Sequence, residues 1–419
     1  MRKSRLIKHQ IFIAIFVSFL RAHAVDCSRP AGSIPFTTEK AGTANPQIPI
    51  EHTIVLMQEN HSFDNYFGQL NQDRYYGKEI DGLSSEMNNL DSKGVVVPVH
   101  HEASLCSKNP KHSWEGMHSD WDNGKNDNFV INSGFDAIGY YNETDLNYYY
   151  ALANRFAIAD RYFSSAMTQT FPNRFFMLTG TAFGHIKNDI PDRSFGYKQK
   201  TIFETLNDYH ISWKYYRNRV GYLNLFTEFW LHNTSHISKV DEFAKDLKAG
   251  TLPHVVFIDS EMDGQDEHPS GNVQEGENFV ASRIGELIES QYWKNSVLFL
   301  TYDEGGGFFD HVSPPEACRP DDVEPVFGKK DTIKGHYDRY GFRVPFVAVS
   351  PYAKAHYVSH LTHDHTSILK FIETKYNLPA LTVRDANADD LMDVFDFDHP
   401  RLDVQMPAPL LLQVKCLKK

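Results

Sequence analysis

The sequence predicts an α/β fold with a central, mainly parallel sheet covered by helices on both faces, and three observations carry that reading. Four β-branched apolar runs lack the alternation of a half-exposed strand, as strands buried on both faces do. Helical patterns, with apolar residues three and four apart, lie between and after them. No internal repeat, low-complexity tract or Gly/Ser linker divides the chain, and 419 residues at 41% hydrophobic content can fill one large core.

Residues 1–24 read as a secretory signal. Arg2, Lys3, Arg5 and Lys8 precede the apolar run IFIAIFVSFL, and the small residues Ala22 and Ala24 mark a cleavage point. That run is too short to anchor the chain across a bilayer. Export to the periplasm or beyond is the expectation, with residues 25–419 as a single domain and no transmembrane segment in the mature chain. Cleavage removes five basic residues and no acid, so the formal charge moves from −12 to −17. An acidic protein of this kind is poorly suited to nucleic acid or to a polybasic membrane contact. Cys27, Cys106, Cys318 and Cys416 survive cleavage, permit two disulfides in three pairings, and have no zinc-finger spacing.

The elements follow in chain order. TIVLM at 53–57 predicts the first strand, and DLNYYYALANRFAIADRYF from Asp145 and TIFETLNDY from Thr201 predict helices. HVVFID at 254–259 is a strand, NFVASRIGELIES from Asn278 a helix, SVLFLTYD at 296–303 and VPFVAVS at 344–350 strands, and TSILKFIETKY from Thr366 a helix.

Ligands in such sheets bind beyond the carboxyl ends of the strands. The first strand runs into Glu59-Asn60, and the third into Asp303-Glu304 followed by Gly305, Gly306 and Gly307. Adjacent carboxylates repel unless a proton or cation separates them, and the glycines permit close backbone approach to a ligand. Glu59, Asn60, Asp303 and Glu304 offer only oxygen, which suits calcium, magnesium or manganese. Zinc also accepts carboxylates, so the identity of the divalent metal stays open. The same acids would serve equally as caps of helices that begin after each strand.

SSAMTQTFPNRFF at 164–176 sets Thr170 directly before a Pro-Asn-Arg turn and a helix. A hydroxyl at a helix N-terminus can attack phosphorus while free amides stabilise the phosphate oxygens. A threonine there can also do no more than cap the helix. Of the 21 histidines, His112, His118, His268, His311, His363 and His365 fall in polar loops. A loop histidine can protonate a leaving oxygen near neutral pH, though most histidines in a chain do not.

Seven blocks then carry a resemblance, in this order: HTIVLMQENHSFDNYFG, HSWEGMHSDWDNGKNDNFV, TQTFPNRFFMLTGT, DEHPSGNVQEGENFV, TYDEGGGFFDHVSPP, YGFRVPFVAVSPYAK and HDHTSILKFIETKYNLP. From about residue 52 to 379 the chain resembles the secreted phosphoesterase family of bacterial and plant non-specific phospholipases C and acid phosphatase A. The resemblance implies an alkaline-phosphatase-like fold and a metal-assisted hydroxyl nucleophile. It implies Glu59 and Asn60 as one metal-binding pair, Asp303 and Glu304 as another, and Thr170 as nucleophile and metal ligand. His112 and His268 are implied as contacts of the phosphate or leaving group, and His311 and His365 occupy motif positions of less defined role, with His311 expected among the catalytic residues beside Thr170, His112 and His268. His61 stands where relatives often have Arg, and Gly305 where many have His; the second difference removes one polar contact and bears on substrate preference more than on chemistry.

The resulting expectation is a secreted, metal-dependent phospholipase C that acts on phospholipid at a membrane surface and releases diacylglycerol and a phosphorylated headgroup. An acid phosphatase acting on soluble monoesters would use the same residues. A binding protein with a degenerate site is disfavoured, because both acidic pairs and Thr170 are intact together.

Overall fold

The structure, a computed structural model, describes residues 25–416 apart from 73, 192–194, 220, 261–263 and 413. The expected signal segment at 1–24 lies outside the described residues. Eight strands form the main sheet: β1 (His52–Gln58), β2 (Ala157–Ala159), β3 (Trp213–Tyr216), β4 (Ile237–Ser238), β5 (Val255–Asp259), β6 (Ser296–Tyr302), β7 (Phe346–Val349) and β8 (Tyr357–Ser359). Their order across the sheet is β8-β2-β7-β6-β1-β5-β3-β4. Neighbours run parallel except at β7, which is antiparallel to β6 and to β2.

All residues of β1, β5 and β6 are buried. Successive side chains of a strand point to opposite faces, so the sheet is covered on both. The helix Thr170–Thr179 packs with His365–Tyr376 and Ile202–Asp208, while Val273–Ile288 packs with Asn147–Arg155 and Asp241–Ala249. The α/β class and the mainly parallel sheet are therefore as the apolar runs predict.

Register places the site. Gln58 lies opposite Tyr302, and Met57 opposite both Asp259 and Thr301. The three central strands thus end level, and Glu59-Asn60, Asp259 and Asp303-Glu304 emerge together at one edge. Cys27–Cys318 and Cys106–Cys416 are the disulfides, which selects one of the three pairings.

Three local expectations need correction. The pattern from Asp145 is not one helix: it ends at Arg155, and the apolar Ala157–Ala159 continues as β2. The helix around Asn278 starts earlier, at Val273, behind an Asn272 cap whose side chain accepts from Gln274 N. Pro-Asn-Arg is not a turn, because Pro172 sits inside the first turn of Thr170–Thr179, where its missing N–H is not needed. Among the described residues no helix is long and apolar enough to cross a membrane.

Candidate active site

Glu59 and Asn60 leave β1 through a left-handed residue, Asn60 at φ 65°. Its backbone N–H donates to Asp303 Oδ1 at 3.0 Å, which locks the ends of β1 and β6 together. Gly306 makes this approach possible, for at φ +65° a Cβ there would lie 2.0 Å from Asn60 O. At Gly307, likewise, a Cβ would lie 2.5 Å from Lys111 O, beside His112. These two glycines accommodate protein backbone, not the ligand backbone approach expected of them. Gly305 has ordinary room for a Cβ, 3.4 Å from Phe342 Cβ, so nothing in the backbone demands glycine there.

The helix-cap reading of the acids fails. The short helix after β1 is capped by Ser62, whose side chain accepts from Asn65 N, and Asp303-Glu304 lead into a glycine turn. Thr170 is no cap either: Gln169 holds that position, and Thr170 Oγ1 donates toward Asn60 Oδ1 at 3.4 Å. Its loop is fixed by Asn173, which donates to Thr168 O at 2.8 Å and accepts from Ala166 N at 2.9 Å. Thr168, the neighbouring hydroxyl, is spent on Ile186 O at 2.6 Å.

Asn60 admits two amide orientations. With Oδ1 toward the acids, that oxygen sits 3.0 Å from Glu304 Oε1 and 3.2 Å from Asp303 Oδ1, acceptor against acceptor. Turning the amide converts both into hydrogen bonds and lets Oδ1 accept from His268 Nε2 at 3.2 Å. A cation among the oxygens of Asn60, Asp303, Glu304 and Thr170 removes the same conflict without a turn, so this donor set fits a hard divalent ion. Burial raises the Glu304 pKa, and the adjacent Asp303 charge raises it further. Burial also raises Asp303 and Glu59, against the pull of Arg174.

Arg174 is the residue the sequence reading missed. Its guanidinium reaches Asp303 Oδ2 at 3.2 Å, Asp259 Oδ1 at 3.4 Å and Glu59 Oε1 at 3.4 Å, over the ring of Tyr222. It also donates to Met57 O and Gln58 O at the end of β1. Arg174 lies one helical turn after Thr170, so the i, i+4 rule points to it. Asp259 closes a buried strand and meets the same test as Glu59 and Asp303.

His112 and His268 reach the cluster. His112 Nδ1–H donates to Pro110 O at 2.8 Å, which leaves the Nε2 lone pair 3.5 Å from the Asn60 amide nitrogen, and burial pushes its pKa down to about 4. His268 Nδ1 is engaged by Pro269 O at 2.6 Å, so Nε2 is the atom facing Asn60. The two rings stand 5.9 Å apart. Ahead of His268, the buried Glu267 carboxylate receives the hydroxyls of Tyr66, Tyr149 and Tyr302 and the Gln58 amide, and burial lifts its pKa to about 7. His365 Nε2–H donates to Asp303 O at 2.7 Å and so holds the strand end rather than the reacting groups.

His311 is not brought to the cluster. Asp64 Oδ2 at 2.7 Å and Asp81 Oδ1 at 2.9 Å take its two ring nitrogens. Burial alone would lower its pKa, but the carboxylates hold it up at about 10. With both ring nitrogens held by carboxylates, His311 is an ion-pair partner, and the catalytic role expected for it does not follow. His61 is structural too: it stacks on Tyr66 and Phe308 and contacts Asn65 Oδ1 and Glu267 O.

This edge-of-sheet cluster can hold a phosphoryl group between a hydroxyl, an acid-rich cation site and two imidazoles. Residues 50–379 match the sequence profile of the Phosphoesterase family. The chain belongs to the phosphoesterase family. It is therefore a phosphoric ester hydrolase. Relatives include phospholipase C B of Mycobacterium tuberculosis, 32% identical over 88% of this chain and 85% of that one. The non-specific phospholipase C1 of Arabidopsis thaliana is 30% identical over 87% of this chain and 74% of its own. The hemolytic phospholipase C of Pseudomonas aeruginosa is 29% identical over 90% of this chain but only 60% of its own. Among solved structures, an alkaline phosphatase superfamily protein from Vibrio parahaemolyticus superposes with a TM-score of 0.41 at 9% identity, over 87% of this chain and 71% of that one.

Proposed function

We propose that this phosphoesterase is a secreted, metal-dependent phospholipase C that cleaves the glycerol-side phosphodiester of glycerophospholipids with Thr170 as nucleophile. The observation that carries the reading is the convergence of Thr170 Oγ1, Asn60 Oδ1 and the Asp303 and Glu304 carboxylates beside two imidazole nitrogens. Relatives named phospholipase C support the substrate class, and two disulfides suit an oxidising compartment. Glu59, Asn60, Thr170, Asp303 and Glu304 would hold a divalent cation, which supplies neutralisation of phosphoryl charge and a lower hydroxyl pKa.

The chain's own residues do the rest. Thr170 Oγ1 bonds to phosphorus as the phosphorus–oxygen bond to glycerol breaks, and its proton passes to the free Nε2 of His112. The departing diacylglycerol alkoxide takes a proton from His268 Nε2. Water then attacks the phosphothreonine, giving a proton back to His268, and the phosphorylated headgroup leaves as His112 reprotonates Thr170. Arg174 keeps the strand-end acids in place, and Glu267 fixes the backbone that presents His268.

Purified protein assayed on phosphatidylcholine, on phosphatidylglycerol and on a soluble phosphomonoester, with bound metal measured on the same sample, tests this. Diacylglycerol and a phosphorylated headgroup are the expected products. Rapid monoester hydrolysis with inert phospholipid would replace the reading with an acid phosphatase.

A further inference from the structure

A fourth strand reaches the reacting site through a residue that no quoted motif contains. β3 ends at Tyr216, and the turn Tyr222–Leu225 that follows it brings Tyr222 to the end of β1. The Tyr222 hydroxyl donates to Glu59 Oε1, and the Arg174 guanidinium lies over its ring at 4.0 Å. The backbone N–H of Tyr222 donates to Asp259 Oδ2 at 3.1 Å, an oxygen that also accepts from the Tyr215 hydroxyl. Gly221 lets the turn come this close, since a Cβ there would lie 2.7 Å from Tyr215 Cε1 and 3.0 Å from Asp259 Oδ2. Tyr222 is buried, and its ring meets that of Phe171, the neighbour of Thr170, edge to face at 5.7 Å. A phenylalanine would fill the same volume and keep the contact with Arg174, so the hydroxyl serves Glu59.

We propose that Tyr222 is a positioning residue of the metal site, one that turns Glu59 so that Oε2 is the oxygen offered to the divalent cation. The inference rests on the metal-dependent reading above and adds a residue to it. Arg174 also approaches Glu59 Oε1, at 3.4 Å, but its guanidinium is shared with Asp259 and Asp303. The single proton of the Tyr222 hydroxyl goes to Glu59. Both contacts fall on Oε1, which leaves Oε2 for the ion. A hydrogen-bond partner of this kind fixes a ligating carboxylate before the ion arrives, and losing it typically costs about 10–100-fold in metal affinity.

The test is binding of Mn²⁺ and of Zn²⁺ to the chelator-treated full chain by equilibrium dialysis, for wild type and Tyr222→Phe. The variant is expected to bind about 10–100-fold more weakly, and the turnover it loses at low Mn²⁺ is expected to return as Mn²⁺ is raised. A tyrosine that only filled space would lower the unfolding temperature and leave the metal Kd unchanged, and that result would overturn the proposal. Wild type that takes up neither ion would instead overturn the metal-dependent reading, and the proposal with it. If Tyr222→Phe does not fold, wild-type crystals soaked in Mn²⁺ decide the question. Glu59 is expected to meet the ion through Oε2 with Oε1 still on the Tyr222 hydroxyl, and an ion that Glu59 does not touch, or a Glu59 turned away from Tyr222, contradicts it.

Discussion

Two acid-rich clusters in this protein draw on the same two sequence blocks, ENHSFD and DEGGGFFDH, and they differ in charge balance. In one, Asp64, Asp81 and Asp310 face Arg343, His311 and Arg161, cation for acid. In the other, Glu59, Asp259 and Asp303 share the guanidinium of Arg174, Glu304 lies beside Asp303, and a neutral His112 stands next to them. The balanced cluster is complete as it stands and holds the loops together. The deficient one needs positive charge from outside, which is what a metal and a phosphoryl-transfer site supply. Residue type does not separate the two, because both are carboxylates beside arginine and histidine; the count of cations does.

The comparison can be broken from the deficient side first, where the largest effect is expected. Asp303→Ala or Glu304→Ala should lower turnover by several orders of magnitude and reduce bound metal, since an oxygen ligand and its charge go together. Near-normal activity with full metal content would remove these residues from the site. On the balanced side, Arg343→Met strands Asp64 and Asp310 without their buried partner. It should cost about 3–5 kcal/mol of stability in urea titration while the folded fraction keeps its turnover. A large loss of turnover in folded Arg343→Met would erase the distinction between the clusters.

His311 sharpens the contrast through pH. Its pKa rises from an ordinary 6.5 to about 10 in the folded chain. Protonation is therefore tighter when folded, so its contribution is fully present below pH 6.5 and fades as pH rises through about 10. The stability gap between wild type and His311→Gln should be widest at pH 6 and close above pH 10. A pH-independent gap would show a packing effect instead. The smallest effect is a gain: in metal-free protein, Glu304→Gln should add about 1 kcal/mol by relieving the charge held beside Asp303. A loss of stability would mean that the acids are not in electrostatic conflict.

Much of this was legible in the sequence, for stated reasons. The long runs at 53–57, 254–259, 296–303 and 344–350 are the four strands that carry most of the sheet, because uninterrupted, largely apolar stretches of five or more residues are long enough to read as strands buried on both faces. Ala157–Ala159 and Tyr357–Ser359 are too short for any periodicity and form only by pairing with each other and with β7. The strand-end rule points to Glu59, Asn60, Asp303 and Glu304. His311 could not be excluded in the same way, since its partners Asp64 and Asp81 are far away in sequence and only folding brings them to its two nitrogens. Arg174 stood inside a quoted motif, and its role depended on knowing that Pro172 begins a helix rather than a turn.

The central claim is that the deficient cluster activates Thr170. It is tested most directly by comparing Thr170→Ser and Thr170→Asn on phospholipid vesicles, with folding checked by thermal unfolding. The serine variant keeps the attacking oxygen and should retain measurable turnover, whereas the asparagine variant, similar in size but without a hydroxyl, should lose several orders of magnitude in rate. A folded Thr170→Asn protein that cleaves phospholipid at a rate comparable to wild type would contradict the account and move the nucleophile to water or another hydroxyl.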